Sequence, residues 1–257
     1  MDSATIIAVT PENAANETLF CVKDVKSAAF DCKQKWFEKR YQEGLRIKIL
    51  KAHNGRMIGF IEYVPIAYAW RPVEGQNFMF VHCMYVYSKK DRNKGYGALL
   101  IDDAEKSARA QGMSGVCVMT SNGSWMTNKT IFQKRSFRQD DQRERFELMC
   151  RKWHSTVPYP SLVDWTAQQA KYKGWHLIYA NQCPWHEKSV EGILNVAMDF
   201  DIHMNITELK SAKEAKNAPS GHGVFALMHN GKLIEDHYVS ATRFRNILKK
   251  ELKVENR

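Results

Sequence analysis

The chain of 257 residues has no long apolar segment, no basic leader and no closely spaced cysteine pair. No apolar run approaches the ~18 residues that a membrane-spanning helix needs, so no membrane partner is expected. Because no basic segment precedes an apolar one at the start, we expect a cytoplasmic protein. The six cysteines form no Cys-x-x-Cys motif, so the spacing indicates neither a zinc site nor a disulfide framework, and we expect no metal.

Two common phosphate-binding signatures are also missing. The chain has neither the Gly-x-Gly-x-x-Gly fingerprint of dinucleotide-binding folds nor the Gly-Lys-Ser/Thr end of a P-loop. Its charge nevertheless suits a polyanion, since 38 Lys and Arg exceed 28 Asp and Glu, and 25 of the basic but 17 of the acidic residues precede Ser155. The basic residues are dispersed and no nucleic-acid motif is present, so a nucleic acid is disfavoured.

The composition, 44% hydrophobic and 26% charged, is that of a globular protein with one large or two small domains. The segment 153–160 contains Pro158-Tyr159-Pro160, which does not continue regular structure. We place a domain boundary there and predict two α/β domains, 1–154 and 155–257. The sequence does not indicate the oligomeric state.

The most informative segment follows a predicted strand over residues 77–87. That strand leads into a short basic loop, and Arg92-x-x-Gly95-x-Gly97 then opens a helix. Two glycines let the backbone approach a ligand closely, and the first-turn N–H groups of the helix point outward unpaired. Since these donors and the helix dipole both favour negative charge, the segment predicts a phosphate site.

With its flanks, this segment resembles the pyrophosphate-binding motif of the GNAT superfamily of acetyl-CoA-dependent N-acetyltransferases. The resemblance covers about residues 1–150, including a predicted hairpin of residues 45–52 and 57–64 around Asn54-Gly55. It implies a mixed-sheet domain that moves acetyl from acetyl-CoA to an amine in a ternary complex. It also implies main-chain contacts to CoA. Met84 and Val86 would contact the pantetheine arm. The pyrophosphate would be bound by the segment that consists of Arg92, Asn93, Lys94, Gly95, Tyr96, Gly97 and Ala98.

Two residues are candidates for the base that deprotonates the amine. His82 stands where arylalkylamine acetyltransferases carry a histidine, and by the two-residue period we place it on one strand face with Phe80, Met84 and Val86. Glu62, on the adjoining strand, is the second candidate. A histidine or glutamate that is simply hydrogen-bonded within the sheet is the alternative interpretation.

The sequence departs from the family at the acid. Many members place a tyrosine where Phe132 stands, and phenylalanine cannot protonate the departing thiolate. Tyr85, Ser124 or water would then serve, or the thiolate would leave unassisted. The missing acid also raises the alternative of a CoA-binding protein without transferase activity.

The loop after the second hairpin strand is expected near the acceptor. Tyr68 and Trp70 are candidates for an aromatic substrate wall, with Arg71 and Glu74 reading a charged end of the acceptor. Aromatic residues that only pack on the body of the domain are the alternative.

The second half has β-α-β and then β-β-α order, which resembles a smaller thioredoxin-like domain of the YoaP-like kind. Cys183 precedes the first helix, and Pro219 stands where that fold keeps a cis-proline. A helix N-terminus lowers a thiol pKa, so Cys183 is a candidate reactive thiol. Because His186 occupies the place of the second cysteine, the disulfide cycle is lost. We therefore expect a structural or substrate-binding module that covers or extends the acceptor cleft or recruits a partner. A redox or metal protein centred on Cys183 is the alternative.

Overall fold

The computed structural model describes residues 4–19, 21–22, 24–154 and 156–252. The first part of the chain forms a large mixed sheet. Its strands are β1 (Ala4–Val9), β2 (Arg46–Ala52), β3 (Met57–Pro65), β4 (Val73–Glu74), β5 (Phe78–Val86), β6 (Gly115–Thr120), β7 (Arg138–Arg143) and β8 (Phe146–Lys152). Seven of them pair in the order β1-β2-β3-β5-β6-β8-β7, which leaves β4 outside this sheet.

The centre of the sheet contains its one parallel pair among the described strands, β5 with β6. The pairing starts at Phe78 with Gly115 and ends at Val81 with Val118, although both strands continue. Beyond that point the two strands separate. A wedge-shaped opening is therefore built into the middle of the sheet.

Helices cover the two faces of this sheet. They are α1 (Ala14–Glu17), α2 (Ala28–Tyr41), α3 (Tyr96–Ala110) and α4 (Thr130–Gln133). One core lies between the sheet and α3, with Leu100 and Ile101 packed near Val81 and Met149. The core on the opposite face contains Phe37 of α2.

The second part forms a smaller α/β unit. Its elements are β9 (Ser161–Leu162), β10 (Trp175–Tyr179), α5 (Trp185–Asp199), β11 (Met204–Glu208), α6 (Ala212–Lys216), β12 (Phe225–His229), β13 (Lys232–Glu235) and α7 (Ala241–Glu251). Four strands pair in the order β11-β10-β12-β13, with β10 parallel to β11 and antiparallel to β12.

This order of elements confirms the predicted β-α-β and β-β-α pattern, whereas the likeness to thioredoxin stays a prediction. One expectation drawn from that likeness was wrong. No peptide bond of the described chain is cis, so Pro219 does not occupy a cis-proline position.

The sequence also missed an edge strand. The first part of the chain ends in the hairpin of β7 and β8. Strand β7 reads Arg-Gln-Asp-Asp-Gln-Arg and has no apolar residue to mark an inward face. It lies at the sheet edge, where a polar strand needs pairing on one side only.

The two parts share one hydrophobic core. Phe78 and Phe146 of the first sheet belong to the same cluster as Trp165 and Ile178 of the second part. Strand β9 also returns across the predicted boundary to pair with β4, and Arg145 Nη2 bonds Asp236 at 2.7 Å. The second part therefore covers the face of the sheet that α2 leaves open. In the described residues no helix has the length and apolar character to cross a membrane.

We expect Trp165→Ala to lower the free energy of unfolding of the whole chain by about 3–5 kcal/mol. Trp165 is fully buried, and its ring meets Phe146 at 5.6 Å between centroids. Urea unfolding followed by circular dichroism measures the change. Met198→Ala, at a side chain that is 72% exposed, is the control and should change stability by less than ~0.5 kcal/mol. Two separate transitions, only one of them moved by Trp165→Ala, would contradict a shared core.

Candidate active site

The basic loop after β5 presents free main-chain donors. Asn93 (φ 61°) and Gly95 (φ 80°) both adopt left-handed conformations immediately before α3. Within the part of the chain that the structure describes, the amides of residues 93–98 have no hydrogen-bond partner. Since the positive end of the α3 dipole lies at the same place, the loop suits a phosphate or pyrophosphate.

Side chains hold this loop in place. Arg56, in the β2–β3 turn, binds the buried Asp91 carboxylate with both Nη atoms at 2.6 and 3.2 Å. Arg92 Nη2 donates to the Tyr85 hydroxyl at 3.0 Å. The donor amides are therefore fixed before any ligand arrives.

The wedge between β5 and β6 opens next to this loop. Its apex is the last paired position, Val81 with Val118, and Met84 and Val86 follow on the open side. Thr127 Oγ1 donates to the Met84 carbonyl at 3.2 Å, which places the loop after β6 across the opening. An extended ligand running from the basic loop into the wedge would end near the apex.

A β-bulge at the apex redirects the side chains of β5. Glu62 pairs with Cys83 and Tyr63 with Val81, so His82 is an extra residue without a partner on β3. Because of the bulge, our prediction that His82 shares a face with both Phe80 and Met84 was wrong. The ring of His82 packs on Phe80, whereas Met84 lies in the core on the α3 side.

Glu62 is the centre of a buried hydrogen-bond network. Its Oε2 accepts from Lys33 Nζ of α2 at 2.5 Å, and its Oε1 lies 3.2 Å from His82 Nδ1. Gln182, from the second part of the chain, donates its Nε2 to the same Oε1 at 2.8 Å. Burial alone would raise the pKa of Glu62, but the Lys33 ammonium and the His82 N–H outweigh it and hold the pKa well below its usual range.

His82 has no free ring nitrogen. The Trp70 main-chain N–H donates to Nε2 at 2.8 Å, so Nδ1 carries the proton and donates to Glu62. Burial lowers the pKa of His82 to about 4, against the opposing effect of the Glu62 carboxylate. The imidazole is therefore neutral at pH 7 and orients Glu62.

Arg71 lies beside this network and is 4% exposed. Its Nη1 donates to the Gln182 Oε1 at 2.7 Å and to the Trp70 carbonyl at 2.8 Å. Its Nη2 makes one long contact, 3.4 Å, to the His82 carbonyl at the bulge. Gln182 thus links the guanidinium of Arg71 to the carboxylate of Glu62.

Two cysteines from different parts of the chain also reach this place. Cys83 follows the bulge and is exposed as a residue, whereas the desolvation of its thiol and the neighbouring Glu62 raise the pKa of that thiol to about 12. Cys183 precedes α5, and we expected the helix N-terminus to lower its pKa. That expectation was wrong, because burial raises the pKa of this thiol and outweighs the hydrogen bond from the Trp185 main chain.

The remaining predicted residues are more scattered. The Trp70 ring is buried against Trp36, so Trp70 contributes only its main chain to the network. Tyr68 is exposed on a short 3₁₀ turn, and Glu74 is exposed on β4. Phe132 is fully buried against Phe137 in the core on the α3 side. No hydrogen bond within the described chain joins the Tyr68 or Glu74 side chains to Glu62.

Sequence reasoning missed Lys33 and Gln182. A signal for Lys33 was present, since Phe30, Lys33 and Phe37 fall on one helical face and that face is buried. Gln182 had no comparable signal, because its role depends on how the two parts of the chain pack. Among the described residues, no group of three or more His, Cys, Asp or Glu side chains is arranged to hold a metal.

Comparison with known families agrees with this geometry. Residues 14–124 match the Acetyltransferase (GNAT) family, and residues 204–246 match the YoaP-like family. The chain is 25% identical over 248 residues to the uncharacterized N-acetyltransferase YoaP of Bacillus subtilis, covering 94% of this chain and 97% of that protein.

More distant similarities cover shorter segments. An L-methionine sulfoximine/L-methionine sulfone acetyltransferase of Pseudomonas paraeruginosa is 31% identical over 91 residues, 35% of this chain and 50% of that protein. PaiA N-acetyltransferase of Thermoplasma acidophilum, solved with coenzyme A, aligns at 16% identity and a TM-score of 0.40, over 59% of this chain and 99% of that one. YhbS of Escherichia coli, also solved with CoA, aligns at 14% identity and a TM-score of 0.42, over 63% and 91%.

The buried histidine predicts a pH-dependent stability. An unfolded histidine has a pKa of about 6.5, so between pH 6.5 and 4 the unfolded chain binds a proton that folded His82 excludes. The free energy of unfolding should therefore fall as the pH falls through this range, with His82 contributing about 3 kcal/mol. Urea unfolding at pH 7, 5.5 and 4 measures the loss.

His82→Gln tests this assignment, because it should reduce the loss between pH 7 and 4 by about 3 kcal/mol. His53→Gln, at an exposed residue of the β2–β3 turn, is the matched control and should leave the pH dependence unchanged. Equal pH dependence in wild type and His82→Gln would show that His82 titrates normally in the folded protein.

Proposed function

Because the chain carries an acetyltransferase domain of the GNAT family followed by a YoaP-like domain, we propose that it transfers acetyl from acetyl-CoA to a small amine by direct attack in a ternary complex. Acetyl-CoA is the acetyl donor in this reaction. The donor and the acceptor would approach the wedge apex from opposite directions.

One observation carries the proposal. The free amides of residues 93–98 stand at the open end of the wedge, and the Glu62 network stands at its apex. A pyrophosphate bound by those amides would direct the rest of CoA between β5 and β6, toward the network. Lys89, Lys90 and Lys94 add attraction for the polyanionic donor.

The contacts favour Glu62 over His82 as the group that holds the attacking amine. Because the pKa of Glu62 lies well below its usual range, the amine proton would leave to water beside this carboxylate rather than stay on Glu62. His82 would have to give up its bond from the Trp70 amide before it could accept a proton. Glu62 is ionised at neutral pH, and an arriving ammonium would exchange for one of its present donors. In this proposal His82 is a positioning residue and Lys33 compensates the buried charge.

Tyr85 remains the proposed proton donor to the departing thiolate. Its hydroxyl accepts from Arg92, which leaves its own proton free for donation. Tyr85 is 46% exposed and lies on the strand segment that borders the wedge. Phe132 takes no part, since it is enclosed in the core.

The acceptor that best fits this site is a small molecule. The second part of the chain covers the face of the sheet on which we propose that the acceptor binds. Gln182 of this part donates a hydrogen bond directly to Glu62. The relative that acetylates L-methionine sulfoximine and L-methionine sulfone supports a small acceptor here. Tyr68, Trp70 and Glu74 stay proposed contacts of the acceptor. The proposed division into domains stays 1–154 and 155–257. The cytoplasm stays the expected location.

We expect Gly95→Ala to weaken acetyl-CoA binding at least tenfold. Alanine is strained at φ 80°, and relieving this strain would turn the donor amides away from the pyrophosphate. Gly112→Ala, at φ 67° after the other end of α3, carries a similar conformational cost and is the matched control. Isothermal titration calorimetry measures both affinities, and equal affinities would contradict the assigned site.

Release of CoA thiol with a panel of amines tests the transfer itself. Glu62→Gln should lower kcat at least 100-fold while acetyl-CoA binding stays unchanged. Because this variant leaves the buried Lys33 without its carboxylate partner, the double variant Lys33→Met/Glu62→Gln serves as a stability control and should remain inactive. Tight acetyl-CoA binding without transfer to any amine would support a CoA-binding protein that lacks transferase activity.

A further inference from the structure

We propose that Arg71 binds a carboxylate of the acceptor, so that the acceptor is an amino acid or a closely similar amine with a carboxylate a few bonds from its nitrogen. The proposal rests on the proposed acetyl transfer and specifies its substrate class. It assigns a binding role to a buried residue that the transfer reaction itself does not use.

The buried network around Glu62 leaves the charge of Arg71 uncompensated. Glu62 forms an ion pair with Lys33 at 2.5 Å, while His82 is neutral, so these groups together carry no net charge. Arg71 adds one positive charge. Its hydrogen-bond partners are two main-chain carbonyls and an amide oxygen, and no carboxylate of the described residues forms an ion pair with it. A buried, uncompensated guanidinium is costly, and a bound anion would offset that cost.

The guanidinium of Arg71 also has one edge that the described residues leave largely unoccupied. Nη1 uses both of its protons, on Trp70 and Gln182. Nε has no partner within the described chain, and Nη2 has only the 3.4 Å contact. Nε and Nη2 form one edge of the fork, and such an edge binds a carboxylate through two parallel hydrogen bonds. The two bonds of Nη1 fix the plane of the guanidinium, and the edge formed by Nε and Nη2 is left for a ligand.

Arg71 lies, in addition, beside the apex of the wedge. Arg71 Nη2 touches the carbonyl of His82, the bulge residue directly after the last paired position of β5 and β6. A donor thioester extending along the wedge would end at this place. An α-amino group lies only two bonds from its carboxylate carbon, so an amino acid held by Arg71 would place its nitrogen near the wedge apex and Glu62.

A histidine from the second part supplies an independent observation. His222 is 5% exposed, and its buried Nδ1 has no hydrogen-bond partner among the residues that the structure describes. The next residue, Gly223, packs against the Arg71 backbone, where a Cβ would come within 2.9 Å of the Arg71 Cα. His222 is therefore a second buried polar group beside the Arg71 backbone.

Calorimetry on the full chain in the presence of CoA tests the proposal with the twenty L-amino acids and the carboxamide of each. We expect at least one amino acid to bind ten times or more tightly than its carboxamide. Arg71→Gln should abolish this preference, and Arg71→Lys, which keeps the charge without the fork, should reduce it at least threefold. Circular dichroism shows whether Arg71→Gln folds. If it does not, the preference for the amino acid over its carboxamide is compared between wild type and Arg71→Lys, and this comparison tests the role of Arg71.

Several outcomes would overturn the subsite: no amino acid binding, amino acids binding no better than their carboxamides, or a preference that survives in the Arg71 variants. Failure of the transfer reaction has a different signature. Carboxylate preference without any CoA release would refute acetyl transfer and retain the subsite. Equal acetylation of amino acids and their carboxamides would refute the subsite and retain acetyl transfer.

Discussion

The carboxylate of Glu62 is the constraint on which the rest of the site depends. A buried carboxylate costs several kcal/mol unless charged and polar partners surround it. Its partners come from three places in the chain: Lys33 from α2, His82 from the bulge of β5, and Gln182 from the second part. These three elements must therefore keep fixed positions relative to one another.

The bulge and the wedge turn this constraint into a site. Since His82 is an extra residue in β5, its ring and Cys83 are placed next to the position where β5 leaves β6. Main-chain donors for the pyrophosphate stand at the open end of the wedge, and the buried side chains of the Glu62 network stand at its apex. A shared core holds the second part against the apex, which explains how Gln182 reaches Glu62 across a long stretch of sequence.

The sequence predicts what local patterns encode. Gly95 and Gly97 mark the start of α3, alternation marks most strands, and the second unit has the expected order of elements. Strand β7 was missed because it has no apolar residue, and the bulge because period-two alternation does not show an inserted residue. The pKa of Cys183 and the contact of Gln182 depend on burial between the two parts, so a helix-terminus argument alone could not predict them.

A double-mutant cycle between Glu62 and Gln182 tests the central claim, that the second part of the chain completes the site of the first. Urea unfolding of wild type, Glu62→Gln, Gln182→Leu and the double variant gives the coupling energy without requiring a known acceptor. We expect a coupling of about 1–3 kcal/mol, because the two side chains share one buried network. Additive effects within ~0.5 kcal/mol would show that Gln182 does not support Glu62.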